Sequence, residues 1–362
     1  MNSARIAVDA MGGDHAPACI VAGALEAARD FGLSLALVGP PAVLEEEVAR
    51  QGVPEGVGLD IVAAEHVVGM GEPPAAALRS RARTTIRVAA ELVASGEAGA
   101  LFSAGHTGAS VLAARSVLDL LPGVERPALA TTIPTLRGAA VLLDAGATVE
   151  CRPSHLVQFA VMGQVYARVR LGCSTPRVGL LSIGEEETKG NELIREAHRL
   201  FKQHVTGFVG NVEANELYLG GADVIVCDGF TGNVALKVSE GLVDIAERLL
   251  RAELGSRPVT RLGAWLCRPA FQRFHKRVDY AEYGGVPLLG VAGLCVIGHG
   301  RSSAKAVRNG VALAHRFATE HMLDDLAREL GAWTTGAPQA AQAPGTAHSA
   351  KVPTSPTRSL RG

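Results

Sequence analysis

The chain has 362 residues, of which 48% are hydrophobic, 20% charged and 4% aromatic, and its formal net charge is −1. This composition is typical of a globular protein with an aliphatic core. A nucleic-acid-binding domain would show a basic excess, so the near-neutral charge argues against one.

Targeting and metal-binding signals are weak along the sequence. The first residues carry an acid and a glycine pair where a signal peptide needs an apolar stretch. No apolar run approaches the roughly 18 residues of a membrane-spanning helix. The six cysteines are scattered without a CxxC pair or metal-ligand spacing. We therefore expect a cytoplasmic protein with free thiols, no metal and no cofactor.

Short apolar runs that end in Gly, Asp or Ser recur along the chain and predict parallel β-strands. Helical periodicity follows many of them, which favours an α/β fold with a Rossmann-like parallel sheet covered on both faces. In such folds ligands bind beyond the carboxyl ends of the strands. The predicted strands are Ile6–Val8, Leu35–Val38, Ala100–Phe102, Ala139–Leu143, Val178–Leu181 and Val224–Cys227.

Four longer segments show helical periodicity: His155–Leu171, Asn191–His204, Asn233–Leu254 and Ser302–Leu330. The third has apolar residues at 236, 242, 245, 249 and 250, which predict one buried stripe. After Trp333 the composition changes to Thr, Gly, Ala, Pro, Gln and Ser. We expect residues 1–332 to form the α/β domain and 333–362 to be a disordered tail.

Two glycine-rich strand ends are candidate phosphate sites. Gly105–Gly108 opens a helix through Leu112–Leu120, and Gly229–Asn233 opens the next long helix. Unpaired N–H groups at a helix start, with the helix dipole behind them, attract anions. Glycine also serves tight turns for purely geometric reasons, so both interpretations stay open for each loop.

Lys189 and Asn233 are the candidate catalytic residues. Lys189 lies between three glutamates and a glycine, directly ahead of a helix. It is either part of a solvated charged loop or a cation that binds phosphate or a developing oxyanion. Asn233 is either a helix N-cap or a polar donor that faces the reacting carbonyl.

An ordered set of motifs resembles the PlsX family of acyl-carrier-protein:phosphate acyltransferases. The matching segments run over about residues 5–310 and are 6–17 (IAVDAMGGDHAP), 103–109 (SAGHTGA), 126–130 (RPALA), 155–158 (HLVQ), 189–191 (KGN), 210–213 (GNVE), 228–234 (DGFTGNV), 283–285 (YGG) and 299–300 (HG).

The resemblance implies a reaction, a fold and an assembly. The reaction would move a fatty acyl group from acyl carrier protein to inorganic phosphate, giving an acyl phosphate for phospholipid synthesis. The fold would be similar to phosphate acetyltransferases and isocitrate-dehydrogenase-like enzymes, in a homodimer. Lys189 and Asn233 fall on motifs whose Lys and Asn are the implied catalytic pair. The residues expected to bind phosphate or substrate are Gly12, Gly13, Asp14, Gly105, His106, Thr107, Gly108, Gly190, Asn191, Asp228, Thr231, Gly232, Gly284, Gly285 and His299.

The chain departs from the family pattern at two strand ends. His106 stands where the family usually has Asn, and Ala145 and Thr148 replace the usual Val and Asn. Each polar replacement can keep a hydrogen bond. A general-base role for His106 is the alternative to a structural one.

A basic segment between Arg251 and Arg277 carries seven Lys and Arg residues against Glu253. Interleaved apolar residues and an interruption at Pro269 predict a helical hairpin arm over about 250–278. Such basic amphipathic segments commonly contact anionic membranes. The predicted contact residues are Leu262, Trp265, Leu266, Arg268 and Phe271. The alternatives are a dimer-packing arm and a docking surface for the acidic carrier protein. Membrane contact would bring the product to a membrane glycerol-phosphate acyltransferase.

Two other classes of function compete with this interpretation. One is another enzyme of similar fold, either a phosphate acetyltransferase or a metal- and NAD-dependent dehydrogenase. The lone Asp residues at strand ends more often cap helices than bind metal; they are Asp9, Asp14, Asp144 and Asp228. No convincing GxGxxG follows a predicted strand. The other is a non-catalytic scaffold for lipid synthesis at the membrane, against which Lys189 and Asn233 argue.

Overall fold

The computed structural model describes residues 5–69, 71–80 and 83–334, so most of the segment predicted to be a disordered tail lies outside the described residues. Two mainly parallel sheets carry the fold. Their strands are β1 (Arg5–Asp9), β2 (Ser34–Gly39), β3 (Leu59–Ala63), β4 (Ala100–Ser103), β5 (Ala128–Leu129), β6 (Thr131–Thr135), β7 (Gly138–Leu143), β8 (Val178–Ser182), β9 (Phe208–Glu213), β10 (Val224–Val226), β11 (Val286–Leu289) and β12 (Cys295–Ile297).

The first sheet has the order β3-β2-β1-β4-β12-β11-β5, and the second has the order β6-β7-β10-β8-β9. Pairing is parallel except around β11 and between β6 and β7. All six predicted strands are present, as β1, β2, β4, β7, β8 and β10, and each ends at a polar or glycine-rich loop. The predicted α/β fold class is confirmed.

Eleven helices cover these sheets in the described part of the chain. They are α1 (Ala18–Phe31), α2 (Pro41–Gln51), α3 (Pro74–Ser80), α4 (Thr85–Ala94), α5 (Thr107–Leu118), α6 (Pro153–Leu171), α7 (Glu192–His204), α8 (Gly229–Gly255), α9 (Pro258–Val278), α10 (Ala304–Thr319) and α11 (Met322–Thr334).

One continuous apolar core joins the two sheets. It includes Phe102 of the first sheet, Val226 of the second, and Phe159 and Tyr166 of α6. The Tyr166 ring packs edge-on against Phe317 of α10, with 5.7 Å between ring centroids. Because α6 and α10 contribute to the same core, the loops at the carboxyl ends of both sheets are held on one framework.

The helix predicted over Ser302–Leu330 is in fact two helices, α10 and α11. His321 between them has a φ of +55°, a left-handed conformation that ends the first helix. The turn lets α11 pack back on α6, where Glu329 pairs with Arg168. No glycine or proline marks this break in the sequence, so helical periodicity alone could not locate it.

Of the α8 stripe that was predicted to be buried, Leu236 packs against the sheets, but the residues beyond it are exposed in the single chain, so the prediction was wrong for most of the stripe. Leu242, Ile245 and Leu249 are 68%, 57% and 64% exposed. The reason is that α8 packs against the sheets only near its start and then continues away from them. Periodicity identified the apolar face but could not say what covers it.

Helices α8 and α9 form an antiparallel hairpin that turns at Ser256 and Arg257. His275 of α9 bonds Glu247 of α8, which fixes the pairing of the two helices. Pro269 lies inside α9, so the interruption that the sequence predicted at this residue is not present. None of the helices in the described ranges is both long and apolar enough to cross a membrane.

Candidate active site

Three loops of the first sheet meet at one edge. They follow β1, β4 and β12, which are neighbouring parallel strands with Asp9, Ser103 and Ile297 in register. The backbone N–H of Asp14 donates to the Gly300 carbonyl at 2.8 Å, which ties the first loop to the third. The predicted segments 12–14, 105–108 and 299–300 are therefore brought together.

A buried carboxyl group, that of Asp9, connects the ends of two of these strands. Asp9 is 3% exposed, and its Oδ2 accepts from the Ser103 hydroxyl at 2.7 Å. Burial raises the pKa of Asp9 above its usual value. Glycine is required above it, because a Cβ at Gly12 would lie 2.7 Å from Asp9 Oδ2 and 2.8 Å from Gly105 N. The close approach of these loops thus depends on Gly12.

The start of α5 offers free hydrogen-bond donors. His106 is the N-cap, and its Nδ1 accepts from the Ala109 N–H at 3.4 Å. Within the described residues, no acceptor is recorded for the backbone N–H groups of Thr107 and Gly108. This geometry favours the anion-site interpretation of the loop. It also gives His106 a capping role, with Nδ1 already engaged.

At the second sheet, Asp144 organises the loop after β7. Its two carboxylate oxygens accept backbone N–H groups from Leu129, Gly146, Ala147 and Thr148 at 2.6–2.9 Å. The side chain is fully buried, and burial raises its pKa to about 6 although these donors act to lower it. Because Leu129 belongs to β5, this one carboxyl links the two sheets.

The start of α8 rests on that loop. The Gly229 N–H donates to the Thr148 carbonyl at 2.9 Å, and a Cβ at Gly229 would lie 2.6 Å from Asp144 Oδ2. Asp228 is the N-cap, accepting from both the backbone and the hydroxyl of Thr231. Most of the first N–H groups of α8 are therefore engaged internally, so this end is a poorer anion site than the start of α5.

Asn233 lies inside the first turns of α8, so its interpretation as the N-cap was wrong. The cap is Asp228, and the helix begins at Gly229. The Asn233 side chain is exposed beside Gly146, and no hydrogen bond to it is recorded within the described residues. Its amide is available to a substrate.

Lys189 ends an exposed turn that follows β8. Its N–H donates to the Glu186 carbonyl at 3.0 Å, and its aliphatic stem passes close to Gly184. No ion pair of Lys189 is recorded in the described part of the chain. Because β8 and β10 are adjacent parallel strands, the Lys189 turn and the start of α8 emerge at the same sheet edge. Next along the chain, Asn191 is the N-cap of α7, with its Oδ1 accepting from Ile194 N at 3.0 Å.

Helix α8 connects the two loop clusters. Lys237 Nζ lies 3.5 Å from His299 Nε2, at the loop after β12. Burial, followed by the charge of Lys237, lowers the pKa of His299. Leu236 packs against the apolar clusters of both sheets. The first turns of α8 thus contact both loop clusters. The region bounded by these turns and by the loops after β1, β4, β7, β8 and β12 is called the cleft below.

Two predicted site residues make close backbone contacts, and the predicted membrane-contact residues lie apart from the strand-end loops. Gly284 and Gly285 lie against the backbone of α10 and the end of β12, where a side chain would clash. Leu262, Trp265, Leu266 and Arg268 are exposed along α9, with Phe271 partly buried, away from the cleft. Asp144 and Lys237 were not predicted as site residues. Asp144 carried a signal, an acid at a strand end, that sequence reasoning assigned to helix capping.

Comparison with known proteins gives consistent results. A model of the family described as fatty acid synthesis protein matches residues 4–324. A phosphate acyltransferase of Nitratidesulfovibrio vulgaris is 52% identical over 320 residues, covering 88% of this chain and 92% of its own. One from Geobacter sulfurreducens is 48% identical over 326 residues, covering 90% and 94%.

Solved structures with the same fold include phosphotransacetylases. One from Streptococcus pyogenes superposes with a TM-score of 0.61 at 15% identity, covering 88% of this chain and 94% of that one. One from Staphylococcus aureus gives a TM-score of 0.55 at 14% identity, covering 87% and 94%. At this identity the likeness concerns the fold.

Proposed function

Because this chain belongs to the fatty acid synthesis protein family, as its resemblance to the PlsX family implied, we propose that it is a phosphate acyltransferase. It transfers a fatty acyl group from the thioester of acyl carrier protein to inorganic phosphate. The products are an acyl phosphate and free carrier protein, and the acyl phosphate feeds phospholipid synthesis.

The chemistry requires positioning more than strong bases. A phosphate oxygen attacks the thioester carbonyl carbon, forming a C–O bond, and the tetrahedral intermediate then expels the carrier thiolate with the C–S electron pair. The thiolate takes up a proton. Phosphate is already a charged nucleophile and a thiolate is a competent leaving group, so alignment and oxyanion stabilisation supply most of the catalysis.

The observation that carries the proposal is the pair of uncommitted polar groups at one sheet edge. The Lys189 ammonium and the Asn233 amide follow adjacent parallel strands, and neither has a recorded partner within the described residues. Lys189 binds phosphate or the developing oxyanion, and Asn233 orients the carbonyl. The free N–H groups at Thr107 and Gly108 bind phosphate from the first sheet.

Release of free carrier thiol that depends on added orthophosphate tests the function. Lys189→Ala should lower kcat/KM by about 10²–10³-fold, the usual cost of losing one oxyanion-stabilising donor. Lys202→Ala is the matched control, because it removes a nearby cation whose ion pair with Glu187 is exposed. Intact long-chain acyl thioesters at any phosphate concentration would refute the function. Near wild-type turnover of Lys189→Ala would refute only its role.

We propose that the chain forms a homodimer through the exposed stripe of α8. Val238, Leu242, Ile245 and Leu249 are each more than half exposed and follow helical spacing. Burying an apolar side chain of this size is worth about 1.5–3 kcal/mol. A second copy that presents the same stripe would cover it symmetrically.

We further propose that the end of the hairpin contacts anionic membranes reversibly. Leu262, Trp265 and Leu266 are 60%, 67% and 64% exposed on one face of α9, and basic residues flank them. Each basic residue near an anionic leaflet is worth about 1 kcal/mol. Contact of this kind brings the acyl phosphate to the membrane acyltransferase that consumes it.

A further inference from the structure

The turn that carries Lys189 has few anchors to the body of the protein. Residues 185–189 are exposed, and Ile183 before them is 81% exposed. Glu187 pairs with Lys202 of α7, but both side chains are more than half exposed. Exposed ion pairs of this kind contribute little to order. Something else must fix the turn.

A buried amide on the edge strand β9 reaches the turn. Asn211 is 8% exposed, and its Nδ2 donates to the Glu186 carbonyl at 2.9 Å. The same carbonyl accepts the Lys189 N–H at 3.0 Å. One carbonyl oxygen therefore joins the backbone of Lys189 to the sheet through the Asn211 side chain.

A histidine of α7 sets the orientation of this amide through a hydrogen bond to its oxygen. His198 is 3% exposed, and its Nδ1 lies 2.9 Å from Asn211 Oδ1. Since the Asn211 oxygen accepts, the His198 nitrogen donates, which leaves the amide N–H group directed at Glu186. The imidazole is held edge-on by Phe208, with 5.0 Å between ring centroids. His198 Nε2 lies 3.9 Å from Glu187 Oε1 and has no hydrogen bond within the described residues.

This polar pair lies in an apolar environment. Ile194 and Phe201 of α7 are buried on the same side of the sheet. A buried amide is costly unless it is hydrogen-bonded, and both ends of Asn211 are satisfied only while the turn is in place. The pair is therefore arranged to select one conformation of the turn.

We propose that Asn211, oriented by His198, is a positioning residue that holds the Lys189 turn in its catalytic geometry. The proposal rests on the function proposed above and on the assignment of Lys189. Asn211 acts through the backbone of the turn and does not touch the substrate. A displacement of about 1 Å in a catalytic group is enough to lower turnover about 100-fold.

Asn211→Asp is the decisive variant, because it keeps the shape and the His198 contact but replaces the donor to Glu186 with an acceptor. We expect kcat to fall about 10- to 100-fold, because a displaced Lys189 stabilises the transition state less well. Lys202→Ala, which removes only the exposed anchor, should keep wild-type kcat. His198→Asn, which can donate from a similar position, should retain more activity than His198→Leu.

Two readouts separate positioning from general destabilisation. In Asn211→Asp, hydrogen exchange should quicken in peptides spanning 183–190 while peptides of β8 and β10 stay protected. In a Lys189→Ala background, adding Asn211→Asp should have little further effect on residual turnover. Wild-type kcat in Asn211→Asp, or an equal loss in both backgrounds, would overturn the proposal. An inactive wild-type enzyme would overturn the proposed function instead.

Discussion

Buried carboxyl groups at the strand ends hold the loops that present the candidate catalytic groups. Asp9 supports the first sheet's loops through Ser103, and Asp144 gathers four backbone N–H groups beneath the start of α8. Hydrogen bonds to charged groups contribute about 1.5–3 kcal/mol each. Both carboxyl groups can therefore influence catalysis through the position of these loops, without contacting the substrate.

Asp144 should make the stability of the fold depend on pH. Burial raises its pKa from 3.8 to about 6, so between these values the folded state holds a proton that the unfolded chain has released. Its contribution to the free energy of unfolding is therefore largest in acid and falls as pH rises toward 6. Asp144→Asn should destabilise at every pH, and by about 2 kcal/mol more at pH 4.5 than at pH 7.

Urea unfolding of both proteins at the two pH values measures this difference. Comparing the variant with wild type cancels the other titrating groups. A destabilisation that does not change with pH would show that Asp144 keeps its ordinary pKa in the fold.

Sequence reasoning could single out residues whose type and neighbours carry a local signal. Lys189 and Asn233 were selected because they lie on short motifs, and their catalytic roles stay predictions. Asp144 was read as one of several lone acids, because its partner Leu129 is 15 residues away and pairs with it only across two sheets. Asp228 does cap a helix, as was expected of an Asp residue at a strand end. Contacts that the fold creates between distant segments leave no local pattern.

At the scale of elements, the predicted strands are buried apolar runs that end at Gly, Asp or Ser, and two of them, β4 and β10, have only four and three residues. Strands β5, β11 and β12 are equally short, with two to four residues, and were not predicted. Helix α7 was located to within one residue, because Asn191 caps it and its apolar positions repeat clearly. The break at His321 had no such signal.

The hairpin of α8 and α9 gives a prediction at this scale. Trp265→Glu places a charge on the exposed apolar face of α9 and should reduce flotation with vesicles rich in phosphatidylglycerol at least several-fold. Leu136→Glu is the matched control, because Leu136 is 82% exposed in the turn between β6 and β7. The contact should weaken as salt increases. Equal binding by Trp265→Glu and wild type would exclude this surface as the membrane contact.

At the scale of the whole molecule, two sheets share one core and one cleft, and α8 lines that cleft before leaving it. The fold class followed from the alternation of apolar runs and helices. The division into two sheets did not, because each predicted strand is compatible with either sheet. The exposed stripe of α8 emerges only from the complete packing.

The exposed stripe predicts the assembly. Leu242→Glu combined with Ile245→Glu should convert a dimer to a monomer, because two charges would be buried without partners at the contact. Light scattering coupled to size exclusion measures the mass directly. Leu219→Glu, at an exposed position away from α8, should leave the dimer intact. A wild-type protein that is monomeric at micromolar concentration would rule out this interface.

Helix α8 also sets a distance. Its 27 residues run without a break from the cleft to the end of the hairpin, and the 22 steps from Asn233 to Gly255 span about 33 Å at 1.5 Å per residue. When the hairpin end rests on a bilayer as proposed, the length of α8 fixes the distance between the cleft and the membrane surface. Lengthening α8 and α9 by seven residues each would increase the distance from the cleft to the membrane by about 10 Å without changing the residues of the cleft. The length of α8 thus determines how far the labile acyl phosphate must diffuse before it reaches lipid.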